Sequence, residues 1–561
     1  MVSPKPNPVP APATAPAIDP NSGFCSETRT YHSLRPNISL PPEMTPLSVV
    51  DYLFSHLHSS PPPPSTPALV DAATHRCILY PDFTQRVRTL ASSIQTRLGI
   101  STGDAAFVLS PNSLHIPILY YSLLSLGVVV SPANPASTTA EISRLIQLCK
   151  PIVAFATTES AEKLPSLRYG TVLLDSDEFE SMMTTTEVGE FGRVEVNQSD
   201  TATILYSSGT TGLVKGVELT HRNWISVLAG AFAVRRARTS PAVGLCAVPF
   251  FHVYGFGYCV RTIGLGDTLV TMGKGRFDLN RMLRTIEELR VTQVALAPPA
   301  VAAVVNRAIS RDGYGLSSLE AIACGGAPLP RSIIVQLRTL LPNVQLLQGY
   351  GLTESTGRVF AAVGLKESRV EGSTGKLVSN FIAKIVDPEN GAAIGLPPLT
   401  PGELWLKGPF VMKGYVGDKE ATAAVVDSEG WLKTGDLCYI DNEGYLFIVD
   451  RLKELIKYKG YQVAPAELEH LLQSHPDVID AAVVPYPDEE AGQLPMAFVV
   501  KRPGSVAHES LIMDFIKEKV APYKRIRKLR FIDAIPRNAQ GKVLRRDLIK
   551  LASSSPPTSK L

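Results

Sequence analysis

Paired cysteine spacing is missing from this 561-residue chain. Its seven cysteines, Cys25, Cys77, Cys149, Cys246, Cys259, Cys324 and Cys438, are scattered, which excludes a zinc-ligand pattern and fits free thiols in a reducing compartment. Long apolar runs are also missing. The longest, Ile116 to Val130, falls short of the roughly 20 residues that a membrane-spanning helix needs, and Pro117 and several serines interrupt it. It reads as a buried helix followed by a strand, and no membrane span is expected. Charge of one sign is scarce: 55 Lys and Arg against 52 Asp and Glu leave a formal net charge of +3. No basic block of the kind that tracks nucleic acid stands out, so nucleic acid is not an expected partner. Internal repeats are absent. The opening MVSPKPNPVPAPATAPAIDP lacks the apolar core of a secretory signal, and its prolines predict an extended, disordered tail over residues 1–30.

What is present is enough apolar sequence for two or more domains. From about residue 85 to 450, short β-rich runs alternate with helical stretches, as in VGLCAVPF at Val243–Phe250, VTQVALA at Val291–Ala297 and LEAIACGGAP at Leu319–Pro328. That alternation predicts parallel α/β layers. Ligands collect beyond the carboxyl ends of strands in such sheets, which makes GGAP at Gly325–Pro328 and QGYGLTE at Gln348–Glu354 candidate binding loops. SPPPPSTP at Ser60–Pro67 reads as a surface loop. GELWLKG and GWLKTGDL alternate in the manner of a small antiparallel, barrel-like sheet. After DRLKELIKYKGYQ the texture changes: Pro465 opens a helix with Glu467 and Glu469 in its first turn and Leu468, Leu471 and Leu472 on one face. The expected fold is therefore α/β. A large N-terminal domain over 31–450 has two parallel α/β subdomains and a small β-barrel-like one, and a smaller mobile α+β domain over 451–550 precedes a flexible tail over 551–561.

Chemistry is concentrated at Tyr206–Gly216, YSSGTTGLVKG. Gly209 and Gly212 let the backbone turn its N–H groups inward, Ser207, Ser208, Thr210 and Thr211 add hydroxyl donors, and Lys215 supplies a positive charge, a combination suited to phosphate. The spacing is not that of a P-loop, because Gly216 rather than Ser or Thr follows the lysine. Ile204 and Leu205 before the loop suit a strand that delivers it.

SSGTTGLVKG, QGYGLTE, the TGD at Thr434–Asp436, DRLKELIKYKGYQV and the NAQGK ending at Lys542 follow one another in the order seen in the acyl-adenylate-forming (AMP-binding) superfamily. The chain resembles that superfamily from about residue 30 to 550, and within it the plant 4-coumarate CoA ligase-like proteins of the peroxisomal acyl-CoA synthetase branch. The resemblance implies an AMP-forming acid-thiol ligase that uses ATP, Mg²⁺ and CoA in two steps, through an acyl-adenylate. It implies that Lys542 bridges the carboxylate and the α-phosphate, and that the loop with Lys215 holds the phosphates that leave. Glu354 would hold Mg²⁺ and Thr353 would contact the α-phosphate. Asp436 and Arg451 would hold the ribose, and Gln348, Gly349 and Tyr350 would line the adenine cleft. His252 is assigned a gate near the α-phosphate, with no acid–base duty. Lys453 falls in the hinge region, Lys457 would meet the acyl-adenylate in the second step, and Arg276, Lys459 and Gly460 would lie near CoA. Lys542 and Lys457 sit on different parts of the small domain, so rotation about the hinge would present them in turn.

Tyr254, Tyr258 and Gly326 match acyl-lining positions, with Gln348, Gly349, Thr353, Lys453 and Lys457 beside the acyl-adenylate. The hydroxycinnamate ligases commonly carry a small residue where Tyr258 stands and a lysine where Ala323 stands, and GELWLKG departs from their GEICIRG. These differences count against 4-coumarate, and a peroxisomal address suits acids destined for β-oxidation, so fatty acids or jasmonate-precursor oxylipins are expected ahead of 4-coumarate or cinnamate of phenylpropanoid metabolism. The ending Ser559-Lys560-Leu561 matches the peroxisomal address, which makes the import receptor an expected partner. A luciferase-type monooxygenase shares the length and the IKYKGYQV segment, and light emission would separate it. A non-catalytic adenylate-binding protein has every expected catalytic position filled against it.

Overall fold

The computed structural model describes residues 17–185, 194–207, 214–235, 237–273, 277–309, 315–389, 393–459, 461–488, 491–538 and 541–553. The apolar run resolves into helix His115–Ser125, buried from Ile116 through Leu124, and the wholly buried strand Val129–Ala133. A helix that is apolar all round belongs between layers, and this one packs under the helix Tyr80–Leu98 in the largest core cluster. No described helix is long and apolar enough to cross a membrane.

Two α/β sheets form the body of the molecule. In the seven-stranded sheet, Val129–Ala133, Ala105–Leu109, Val153–Ala156 and Thr171–Leu173 run parallel, and Thr201–Ser207 pairs antiparallel with Lys215–Thr220. The nine-stranded sheet has a parallel centre, Gln345–Leu352, Ala321–Cys324, Gln293–Leu296, Val243–Cys246, Thr268–Thr271 and Pro67–Asp71, flanked by antiparallel edges. Near-continuous apolar strands such as AAFVL at Ala105–Leu109 fit here because both faces are covered. A third, six-stranded sheet is antiparallel throughout and contains Gly402–Lys407, Leu432–Ile440 and Leu446–Arg451.

Three expectations are corrected. The 1–30 stretch is not tail to its end: Phe24–Cys25 and Thr30–His32 form a hairpin that adds to the six-stranded sheet, with Tyr31 buried against Phe24. Asp19 starts it by accepting hydrogen bonds from the backbone N–H of Asn21 and Ser22, a local turn that outweighs the neighbouring prolines. QGYGLTE is not a loop through its length, because Gln345–Leu352 is a strand held on one side by Ala321–Cys324 and on the other by Gly357–Ala361. Arg451 ends a strand of the large unit, and the chain joins a separate five-stranded sheet only at Ile456–Tyr458. That smaller unit packs the helices Pro465–Gln473 and Glu509–Lys517 on strands Val478–Asp488 and Gly492–Lys501 through Leu468, Leu472, Ile512, Ile516, Val483 and Val499. The described cysteines are all free.

Candidate active site

The carboxyl ends of the strands open into a cleft of about 970 Å³ whose walls come from the large unit and from Asn538 and Lys542 of the small one. Strand Thr201–Ser207 leads up to the glycine- and hydroxyl-rich segment as the sequence implies, and the Ser207 hydroxyl at its end is buried with no hydrogen-bond partner among the described residues. Ser208, Gly209, Thr210 and Thr211 lie outside the described residues, as do Arg276, Gly460 and the C-terminal Ser-Lys-Leu. Lys215 begins the return strand and lines the cleft with its Nζ 4.4 Å from the centre of the Tyr415 ring. The Tyr415 hydroxyl donates to Glu354 Oε1 at 2.9 Å. Burial, reinforced by the Glu354 charge, raises the phenol's pKa and keeps it a donor. Glu354 sits in the turn Thr353–Ser355, which is fixed by a hydrogen bond from Met412 N to Glu354 O and another from Leu352 N to Ser355 Oγ.

Across the cleft, Asp436 and Arg451 are direct cross-strand partners in the six-stranded sheet. Arg451 Nε lies 3.2 Å from Asp436 Oδ1, and the Tyr350 hydroxyl donates to Oδ2 at 2.6 Å. Burial raises the Asp436 pKa while Arg451 and Tyr350 oppose it. Lys542 closes this wall. Its backbone N–H donates to Asn538 Oδ1 at 2.9 Å, and Arg537 clamps the same turn by donating to Gly541 O while pairing with Asp480 at 2.8 Å. Burial lowers the Lys542 pKa, and the neighbouring Arg451 lowers it further. Lys453, also on the wall, is lowered by burial and then by Lys215 and Arg451. Four cations that repel one another around a cavity form a site for an anion carrying several charges.

The small unit meets the large one at Gly541. Its φ is +83°, and a Cβ there would lie 2.6 Å from Pro299 Cδ at the start of helix Pro298–Ile309. Only a residue without a side chain seats the Lys542 turn this closely.

Not every expected residue converges. Lys457 and Lys459 do not line the cleft: the strand Ile456–Tyr458 turns Lys457 to solvent with its N–H on Gln493 Oε1, and Lys459 is exposed with its N–H on Ala491 O. Gln348 is not part of the wall either, although Leu347 and Gly349 on either side of it are. Strand alternation accounts for that. Tyr254, Tyr258 and Gly326 do line it. The Tyr254 hydroxyl donates to Ala323 O at 2.9 Å, and Gly326 takes φ +93° just past its strand. His252 precedes helix Val253–Gly264, and its ring sits 4.5 Å from that of Phe251. Burial pushes its pKa down to about 4, so the imidazole is neutral at physiological pH.

The sequence reading missed Tyr415, Arg261, Arg358 and Gly541, which also build this site. Tyr415 follows a glycine in an unremarked KGYVGD, and the two arginines are single charges within apolar segments. Gly541 lies inside the NAQGK motif, but the close approach to Pro299 that requires it is not encoded in neighbouring residues.

A family model described as AMP-binding enzyme matches residues 58–416, and one described as AMP-binding enzyme C-terminal domain matches 467–542. The chain is 49% identical over 551 residues to 4-coumarate--CoA ligase-like 9 of Arabidopsis thaliana, covering 95% of this chain and 97% of that protein. It is 42% identical over 557 residues to peroxisomal OPC-8:0-CoA ligase 1 of the same plant, covering 96% and 99%. Among solved structures it is similar to o-succinylbenzoate CoA synthetase from Bacillus subtilis in complex with the acyl-adenylate OSB-AMP. That match has a TM-score of 0.76 and 26% identity, and covers 93% of this chain and 100% of that one.

Proposed function

The chain belongs to the AMP-binding enzyme family and is an AMP-forming acyl-CoA ligase, and from that premise we propose how its residues divide the work and which acids it takes. In the first step a carboxylate oxygen attacks the α-phosphate of ATP, forming an acyl-adenylate and releasing pyrophosphate. The reactants repel each other, so the catalytic need is electrostatic. Lys542 neutralises the meeting point of the two anions. Lys215 and the loop ahead of it hold the departing phosphates, and Asp436, with Arg451 fixing its orientation, accepts hydrogen bonds from the ribose hydroxyls. Thr353 and Tyr350 complete the nucleotide wall.

Glu354 fits a magnesium ion: Tyr415 occupies one of its oxygens, and no group of three or more His, Cys, Asp or Glu among the described residues could hold a metal without the nucleotide. A single carboxylate beside phosphates is the usual protein share for this ion, which neutralises pyrophosphate charge when bound. In the second step CoA sulfur attacks the acyl carbonyl and AMP leaves. Lys457, Lys459, Gly460 and Arg276 are proposed for that step. Support comes from the solvent exposure of Lys457 while Lys542 faces the cleft, since one small unit can then offer the two lysines alternately.

For the acid we propose fatty acids or jasmonate-precursor oxylipins, with hydroxycinnamates as the alternative. Tyr258 in the cleft wall, Ala323 in place of a lysine and a relative named for OPC-8:0 support the first choice. The relatives named 4-coumarate--CoA ligase-like keep the second open to test. The observation that carries the whole reading is Lys542 in one cleft with Asp436, Arg451, Lys215 and Glu354. Purified protein with ATP, Mg²⁺, CoA and a panel of fatty, cyclopentanoid and hydroxycinnamic acids should yield AMP and thioesters identifiable by mass. Failure to form AMP from any acid would overturn it.

We also propose peroxisomal import through Ser559-Lys560-Leu561. A fluorescent protein fused to the N-terminus should be punctate in plant cells and become diffuse when those three residues are deleted.

A further inference from the structure

The acyl side of the cleft holds two arginines that the adenylation chemistry does not use. Helix Val253–Gly264 lies along the cleft, and Tyr254, Gly257, Tyr258 and Arg261 all line it. At 1.5 Å per residue, Arg261 lies about 13 Å along the helix axis from His252, which precedes the helix. Arg358, on strand Gly357–Ala361, lines the same cleft. Its stem crosses Gly349, where a Cβ would come within 2.9 Å of Arg358 Cδ. Neither guanidinium has a hydrogen-bond or ion-pair partner among the described residues; Arg261 only lies over the Tyr258 ring, 5.3 Å from its centre. The Tyr258 hydroxyl is buried and also has no hydrogen-bond partner among the described residues.

The neighbouring charges do not neutralise this group. Arg35, the other cation near Arg358, is already paired with both oxygens of Glu367. Asp267, the acid nearest Arg261 in effect, is engaged by Arg235 at 3.0 Å. Burial lowers the Arg358 pKa to about 10, with Arg261 adding to the shift, which leaves Arg358 charged at physiological pH. Two forks of N–H donors and a phenol, lining one side of the cleft without acceptors of their own among the described residues, call for an acceptor on the ligand.

We propose that Arg358, with Arg261 and Tyr258, determines specificity for acids that carry a second oxygen acceptor, a ketone or a carboxylate, on the distal part of the acyl chain. This rests on the ligase reading above and refines its substrate class. Aliphatic walls give little discrimination between chains, whereas a site built to hydrogen-bond a substrate group rejects the analogue that lacks it.

The test compares kcat/KM for thioester formation by the full chain on three acids of equal length: unsubstituted, bearing a keto group in the distal half, and bearing a terminal second carboxylate. At least one oxygenated acid should exceed the unsubstituted one by about tenfold or more, and the better of the two identifies the acceptor. In Arg358→Met that ratio should fall to within about threefold, mainly through a raised KM for the oxygenated acid, and Arg358→Lys should recover part of it. Equal use of all three acids by the wild type, or an unchanged ratio in Arg358→Met, overturns the proposal. Should Arg358→Met fail to fold, the wild-type ratio and Arg261→Met decide in the same way. Absence of AMP with every acid would instead remove the ligase reading beneath it.

Discussion

Tyr415 joins two groups that the nucleotide needs at different places, since its ring lies under the Lys215 ammonium and its hydroxyl binds Glu354. A hydrogen bond to a charged acceptor contributes about 1.5–3 kcal/mol. Tyr415→Phe keeps the ring and removes only that bond, so kcat/KM for ATP should drop about tenfold and half-maximal activity should need more Mg²⁺, measured by pyrophosphate release. His221 is the corresponding structural residue. It is fully buried, accepts a hydrogen bond from Val49 N at Nδ1, and is pushed down to about 4 by burial. An unfolded histidine titrates near 6.5, so between these values the unfolded chain binds the extra proton. The neutral ring therefore stabilises the fold above about pH 6.5, and the contribution fades as pH falls towards 4. Denaturation midpoints at pH 7 and pH 5 should show that His221→Gln, though less stable at pH 7, escapes about 2 kcal/mol of the acid loss seen in the wild type.

Among the elements, the turn Asn538–Lys542 is where local geometry governs chemistry. Its hydrogen bonds to Asn538 and Arg537 fix the lysine backbone, and Gly541 lets the turn approach Pro299. Gly541→Ala adds both a left-handed φ penalty of about 1–2 kcal/mol and a clash with the proline ring. Adenylation should slow by about tenfold or more, while conversion of supplied acyl-adenylate to acyl-CoA changes less. Adding Pro299→Ala should recover the portion due to the clash, and a double variant no faster than the single one would place the whole effect in backbone strain.

At the level of the whole molecule, two units share one cleft, and the smaller one contributes Lys542 while Lys457 remains outside it. If the small unit turns between steps, the two lysines are separable by half-reaction. Lys542→Ala should lower acyl-adenylate formation by three or more orders of magnitude yet still convert supplied acyl-adenylate to acyl-CoA; Lys457→Ala should do the reverse. Equal losses in both half-reactions would exclude alternation in this protein.

What the sequence by itself determined was chiefly local. The glycine and hydroxyl-rich segment before Lys215, the apolar run Ile116–Val130 and the Pro465 helix start are legible because residues close along the chain set the backbone and the burial there. The order of motifs reached further, identifying Asp436, Arg451 and Lys542 as partners in one site across more than a hundred residues. Tertiary structure alone decided which of them meet. Tyr415, Arg261 and Arg358 carry no local signal, since each is a lone polar residue whose meaning comes from neighbours on other elements. The hairpin Phe24–His32 was hidden by its brevity and by the prolines before it, and it exists because strand Ile382–Val386 offers an edge to pair with. Lys542 rather than Lys457 faces the cleft because the turn that carries it docks through Gly541 against Pro299, whereas Lys457 sits on the strand Ile456–Tyr458 and is turned to solvent.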